Sequence, residues 1–293
     1  MFIVAILCCT ALLHALQVLF TKFFNQNYNG DSKASPFVFA VMSGTALALL
    51  TWAIGGFSFS PSWLTVALAC SKAFLVLLFN VAQINAASRG SFAIMSVFMH
   101  GGGIVVPMIV SMIALNQSLT PVQYCAVAVL IGSLFLLNAR GVKGERAKRG
   151  YWMWCILLSI ANGGCGSLMS MQANLLDGAE RTEMIAISNA MSAVLALICL
   201  VFIRKRSIGE DFKKINKRAA GWLCLYFAVA VIAANLYSYA FSRANTTIVT
   251  CTDIGGALVL SALFALFIFK EKLSKLQWLG MVLSVASIIV LSI

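Results

Sequence analysis

Four ionisable side chains, His14, Lys72, His100 and Asp253, interrupt long apolar runs of this chain. A charge at the centre of a bilayer costs at least ~2.5 to 3.5 kcal/mol on insertion scales, so each needs a partner, a water-filled cavity or a function. A carboxylate can take a proton or an amine, an ammonium can take a carboxylate, and imidazoles can pass protons or hydrogen-bond. Amides and hydroxyls recur beside them at helical spacing. At about 100° per residue, His14 and Gln17 share a helix side with Thr10 and Thr21, and Lys72, Asn80 and Gln83 fall within an arc of about 80°. His100 aligns with Ser96, Gly103, Pro107 and Ser111, and Asp253 with Thr246 and Thr250. Asn235 lies on a stripe with Ser238 and Ser242, and Asn162 on one with Ser170 and Asn174. Each stripe has a plainer reading: Asp253 paired with Lys72 to fix packing, histidines bonded to carbonyls, and amides acting as glue between helices. Two histidines far apart, with no thiolate or second carboxylate on their faces, are not expected to bind metal. Nine cysteines without a CxxC spacing read as small buried hydrophobes, and no cofactor motif is present.

The elements that position these groups follow from composition. The chain has 293 residues, 61% hydrophobic and 10% charged, against roughly a quarter charged in soluble domains. A water-soluble globule is excluded. Runs long enough for a bilayer, about 20 apolar residues, occur at 2–24, 36–56, 62–87, 91–115 and 119–138, then at 151–174, 183–203, 219–242, 246–269 and 274–293. The first lacks a basic start and a small-residue cleavage site, so it reads as a span rather than a signal peptide. Lys72, Asp253, His100 and His14 then lie about 15, 12, 16 and 18 Å into their spans, one central slab of the hydrocarbon core. The stripes place spans 1, 3, 4, 6, 8 and 9 around a wet cavity, with 5 and 10 peripheral; spans 2 and 7 carry no such stripe. Trp63, Trp152, Trp154, Trp222 and Trp278 sit at span ends as an interfacial belt, and Tyr237 and Tyr239 read as gate or belt. Pro107 marks a kink or hinge.

A net charge of +12 raises the question of nucleic acid, and sorting the charge by loop removes it. Eighteen of the 21 basic residues fall in one alternate set of connections, and only Arg181 and Arg243 in the other. The basic set is expected in the cytoplasm, both termini outside, and the chain multi-pass in the cell (inner) membrane. The basic stretch 204–218 reads either as a short helix on the membrane surface or as a solvated loop drawn to anionic lipid.

The chain also matches itself. At an offset of 154, residues 88–138 fall on 242–292 with ten identities in 51, among them Ser88/Ser242, Arg89/Arg243, Gly101/Gly255 and Gly102/Gly256. The expected architecture is an all-α polytopic membrane protein, ten transmembrane helices as two inverted five-helix repeats. Residues 1–138 form the first repeat, 139–150 a basic cytoplasmic linker and 151–293 the second. Inverted repeats recur in secondary transporters, with substrate bound between the halves near the midplane.

The stretch SRANTTIVTCTDIGGALVLSALFALFIFKEKLSKLQWLGMVLSVASIIVL resembles the drug/metabolite transporter superfamily, in particular ten-helix members built from two EamA-type units. In the first half, Gln117 stands in place of Glu271 and Ala126 in place of Gly280. The resemblance implies a secondary transporter, often an exporter of metabolites or amino acids. The expectation is therefore alternating access, with proton coupling, on a small metabolite such as an amino acid. Asp253 would couple or bind an amine, Lys72 would pair with it or bind a carboxylate, and His14 and His100 would handle protons or hydrogen bonds. An intramembrane lipid-modifying enzyme or an uncoupled channel is the alternative, although one central carboxylate is a poor basis for catalysis. Expected partners are a small-molecule substrate and membrane lipid, with no nucleic acid, in a monomer or homodimer.

Overall fold

The computed structural model describes residues 2–57, 60–114, 120–138, 148–176, 179–204, 208–241, 243, 246–270 and 274–291, and those residues are helical with short connections. The helices are α1 (Phe2–Asn27), α2 (Ser35–Ile54), α3 (Trp63–Ala87), α4 (Phe92–Ala114), α5 (Pro121–Asn138), α6 (Tyr151–Leu175), α7 (Arg181–Arg204), α8 (Ile208–Lys213), α9 (Lys217–Phe241), α10 (Thr246–Phe267) and α11 (Lys275–Leu291). The ten long ones match the ten apolar runs to within a few residues. The six-residue α8 falls in the basic stretch 204–218. Six helices, α1, α2, α3, α6, α7 and α9, are long and apolar enough to cross a membrane, and α4, α5 and α10 hold shorter apolar stretches. The turn residues Gln117 and Glu271, the linker residues 139–147, and Lys205, Arg206, Ser242 and Asn245 lie outside the described residues.

Local chemistry sets the helix ends. Ser62 caps α3, its hydroxyl accepting from the Thr65 amide at 3.3 Å, and Asn216 caps α9, its Oδ1 accepting from the Ala219 amide at 2.7 Å; both satisfy an amide that the first turn leaves without a partner. Pro36 and Pro121 sit in first turns, where a missing N–H costs nothing. Gly150 precedes α6 at φ +81°, a conformation that a side chain would strain.

Packing sorts the helices into a ring and a periphery. The closest pairs are α2 with α7, α1 with α9 and α10, α6 with α3 and α4, α3 with α7, α4 with α10, and α5 with α11. Large apolar side chains such as Leu197, Val201 and Phe202 of α7 face outward, an arrangement suited to lipid and costly in water. Helices in lipid gain little from apolar burial against one another, so close backbone approach must supply the attraction. The α4–α6 crossing does this with glycine. A Cβ on Gly163 would lie 2.4 Å from the Gly102 carbonyl oxygen, and one on Gly102 would lie 2.4 Å from the Ser159 carbonyl oxygen. The Ser159 hydroxyl donates to the Phe98 carbonyl and Asn162 Nδ2 to the Met99 carbonyl at 2.8 Å, stitching α6 to α4 just before Pro107 interrupts its hydrogen-bond ladder. The tryptophan belt is only partly present: Trp63 and Trp278 are exposed, whereas Trp152, Trp154 and Trp222 pack against aromatic clusters.

Gly163→Ala is expected to force the two backbones apart and to destabilise the fold by about 1 to 3 kcal/mol. Gly132→Ala, which meets nothing within 4 Å, is expected to be near neutral. Melting of the two purified variants in detergent checks this, and equal Tm values would refute it.

Candidate functional site

Between the ring helices lies a cavity of about 220 Å³, roomy enough to hold water or a small molecule. His14 and Gln17 of α1, Lys72, Asn80 and Gln83 of α3, His100 of α4, Asn162 of α6 and Asp253 of α10 all line it. Eight of the ten side chains expected to bind or couple therefore converge, from five helices spread across the whole chain. Asn235 and Thr250 are not among the lining residues. Asn235 Nδ2 is turned onto its own helix, donating to the Val231 carbonyl at 2.8 Å, and Thr250 is buried away from the cavity. Pro107 stands beside the site, next to Gly166.

Asp253 is tied to His14. Its Oδ2 lies 2.8 Å from His14 Nδ1, the carboxylate being 1% exposed and the imidazole 25%. Of the partners that the sequence left open for Asp253, Lys72 lines the same cavity, but the close contact is with the histidine, whose short side chain reaches across the α1–α10 contact. The Tyr237 ring meets the His14 ring edge to face, with centroids 5.4 Å apart. Asp253 Oδ1 and Gln83 Oε1 are buried acceptors without a donor among the described residues. Lys72 is 6% exposed and forms no hydrogen bond or ion pair among the described residues. His100 is buried with Ser261 Oγ 3.4 Å from its Nε2. The site thus offers a hydrogen-bonded acid and base, buried acceptors beside them without a donor among the described residues, and a buried lysine amine without a counter-charge among them.

Sequence reasoning missed several lining groups. Spans 2 and 7 were set outside the wet cavity, yet Ser43 and Leu47 of α2 and Ile185 and Asn189 of α7 line it, as do Cys165, Met169 and Tyr226. Asn189, grouped only with Ser188 and Ser192, forms no stripe along its span, and Leu, Ile and Met carry no polar signal at all. Tyr237 belongs to the cavity, while Tyr239, one turn-fraction away, is exposed.

The two ends of the ring are bridged by different chemistry. At one end, Glu180 in the α6–α7 connection accepts from the backbone amide and the hydroxyl of Ser62, both at 2.8 Å. Glu180 sits at φ +55°, a backbone strain that such contacts must hold in place. Beside it, Arg181 donates to the Ser238 carbonyl. At the other end, Asn216 Nδ2 donates to the Asn27 carbonyl at 2.7 Å, and Lys22 Nζ lies 3.8 Å from the Phe269 ring centroid.

The fold recurs in a solved crystal structure described only as "Crystal structure of protein", with a TM-score of 0.63 at 14% identity over 96% of this chain and 94% of that one. No curated protein matches the chain. The model of the EamA-like transporter family matches residues 143–293. That match covers more than half of the sequence, and it includes α10 with the buried carboxylate of the cavity; the chain belongs to the EamA-like transporter family.

Proposed function

We propose that this membrane transporter is a secondary active exporter of a small metabolite such as an amino acid, working by alternating access and coupled to protons at the His14–Asp253 pair. The observation that carries the reading is the central cavity lined both by this pair and by Lys72, which forms no hydrogen bond or ion pair among the described residues. A ligand with a donor-rich cationic end and an anionic end satisfies Asp253 Oδ1, Gln83 Oε1 and Lys72 together, which a purely cationic ligand does not. Asp253 accordingly binds the proton or the amine, Lys72 the carboxylate, and His14 shares the proton. Gln17, Asn80, Asn162 and His100 complete the polar lining, and Pro107 is the hinge of α4.

The architecture proposed is ten spans in two inverted repeats, 1–138 and 151–293, joined by a cytoplasmic linker at 139–150, in the inner membrane with both termini outside. The packing supports it. The contacts of α1 with α9 and α10 have as counterparts those of α6 with α3 and α4. Lining positions correspond as well: at the offset of 154, Lys72, Asn80 and Gln83 fall on Tyr226, Ala234 and Tyr237, all of which line the cavity. At an offset of 148 between α1 and α6, His14, Gln17 and Val18 fall on Asn162, Cys165 and Gly166, again all lining. The counterpart of the His14–Asp253 pair is then the hydrogen bond from Asn162 to the Met99 carbonyl. The two caps also correspond, Ser62 with Asn216, each tied across to the opposite half. In this reading they are latches at the two mouths of the cavity, and alternating access opens one at a time.

Asp253→Asn is expected to lower proton-gradient-driven flux in proteoliposomes by about tenfold or more, since removing one partner of a buried pair strands the other. Undiminished gradient-driven flux would remove Asp253 from coupling. The Glu180 latch has its own signature. Hydrogen bonds from Thr65 and from the backbone and side chain of Ser62 hold its carboxyl below the ordinary value of 4.5. A carboxyl held low contributes its full stabilisation above that ordinary value and loses it as pH falls through the lowered one. The Tm advantage of the wild type over Glu180→Gln is therefore expected to be constant near neutral pH and to shrink below about 4.5; a difference independent of pH would count against the latch.

A further inference from the structure

The short helix α8 and the start of α9 lie between two long apolar helices, α7 ending at Arg204 and α9 beginning at Lys217. Eight residues of this stretch have sharply divided environments. Asp211 is fully buried, and its carbonyl accepts from the Tyr28 hydroxyl at 3.1 Å. Phe212 and Ile215 pack on a cluster of Ala34, Val38 and Leu200. Lys213, Lys214, Lys217 and Arg218 are exposed, with Glu210 the one exposed carboxylate of 208–218. The apolar half is thus already used to dock the segment on α2 and α7, and the exposed half is a compact cationic face at the level where apolar spans end. Such a face at a membrane surface attracts anionic headgroups, with ~1 kcal/mol per basic residue near the lipid.

We propose that Lys213, Lys214, Lys217 and Arg218 form a docking surface for the headgroups of anionic phospholipids, and that an occupied surface steadies the latch at this mouth of the cavity. The connection is short. Asn216 lies among these cations, caps α9 and donates to the Asn27 carbonyl, while the neighbouring Tyr28 holds α8. A headgroup bridging the end of α8 and the start of α9 restrains the segment that carries Asn216. Headgroup binding stands apart from the transport reading; its effect on the latch rests on that reading.

The experiment titrates the purified full-length protein in detergent with short-chain phosphatidylglycerol, phosphatidylcholine or inorganic phosphate and follows Tm. Phosphatidylglycerol is expected to raise the Tm of the wild type, whereas the other two leave it unchanged. The combined Lys213→Gln, Lys214→Gln, Lys217→Gln and Arg218→Gln variant is expected to need at least about tenfold more phosphatidylglycerol. Asn216→Ala is expected to bind the lipid as the wild type does, measured with a fluorescent analogue, but to lose the Tm rise. An equal response to phosphatidylcholine, a response to phosphate alone, or an unaltered midpoint in the combined variant would overturn the surface. A full Tm rise in Asn216→Ala would overturn its link to the latch, and neither result bears on whether Asp253 couples flux.

Discussion

A carboxylate withdrawn from water inside a helical bundle is the constraint around which this molecule is arranged. Asp253 is almost wholly buried, and its desolvation is offset only by a close opposite charge or by a proton. His14 supplies either, at 2.8 Å. The contact ties α1 to α10, the first long helix to the last but one, so the electrostatics at the centre and the closure of the ring are one requirement. Everything that places His14 must also hold: the Ala11–Gly256 approach between these helices, tight enough that a Cβ on Gly256 would lie 2.8 Å from the Ala11 methyl, and the Tyr237 ring against the imidazole.

The backbone contacts show why small residues accompany the polar ones. Where α6 crosses α4, glycine on both sides brings main chains so close that side-chain donors of α6 reach the carbonyls of α4. Those carbonyls, of Phe98 and Met99, lie about two turns before Pro107, whose missing N–H leaves the helix with one fewer internal restraint. Close crossing, borrowed hydrogen bonds and a weakened ladder therefore coincide in one short length of α4, next to His100 and the cavity.

How far this was legible in sequence depends on the kind of signal. Helix positions were readable because about 20 apolar residues leave an unmistakable run, and polar stripes at helical spacing brought out His14, Lys72, His100 and Asp253. The pairing was not readable: depth alone placed Lys72 and Asp253 together, but partner choice depends on helix rotation and neighbours, which favoured His14. Asn235 sits on a good stripe and yet bonds its own helix, because an amide can satisfy itself on the carbonyl one turn back. Asn189, by contrast, lines the cavity without a stripe. The correspondence proposed for α1 and α6 rests on no aligned identities, only on which positions line the cavity.

The buried amine of Lys72 also bears on what the cavity would keep out when it carries its proton. In a narrow space walled by low-dielectric protein, one fixed positive charge raises the energy of every other free cation that enters. In the proposed transport cycle, sodium, potassium and hydrated metal ions would meet that repulsion from a protonated Lys72 at either mouth, while a molecule that brings its own negative group would be spared it. Under the proposed transport reading, the same side chain that would hold a carboxylate would also act as an insulator, keeping free cations out of the path between the two mouths.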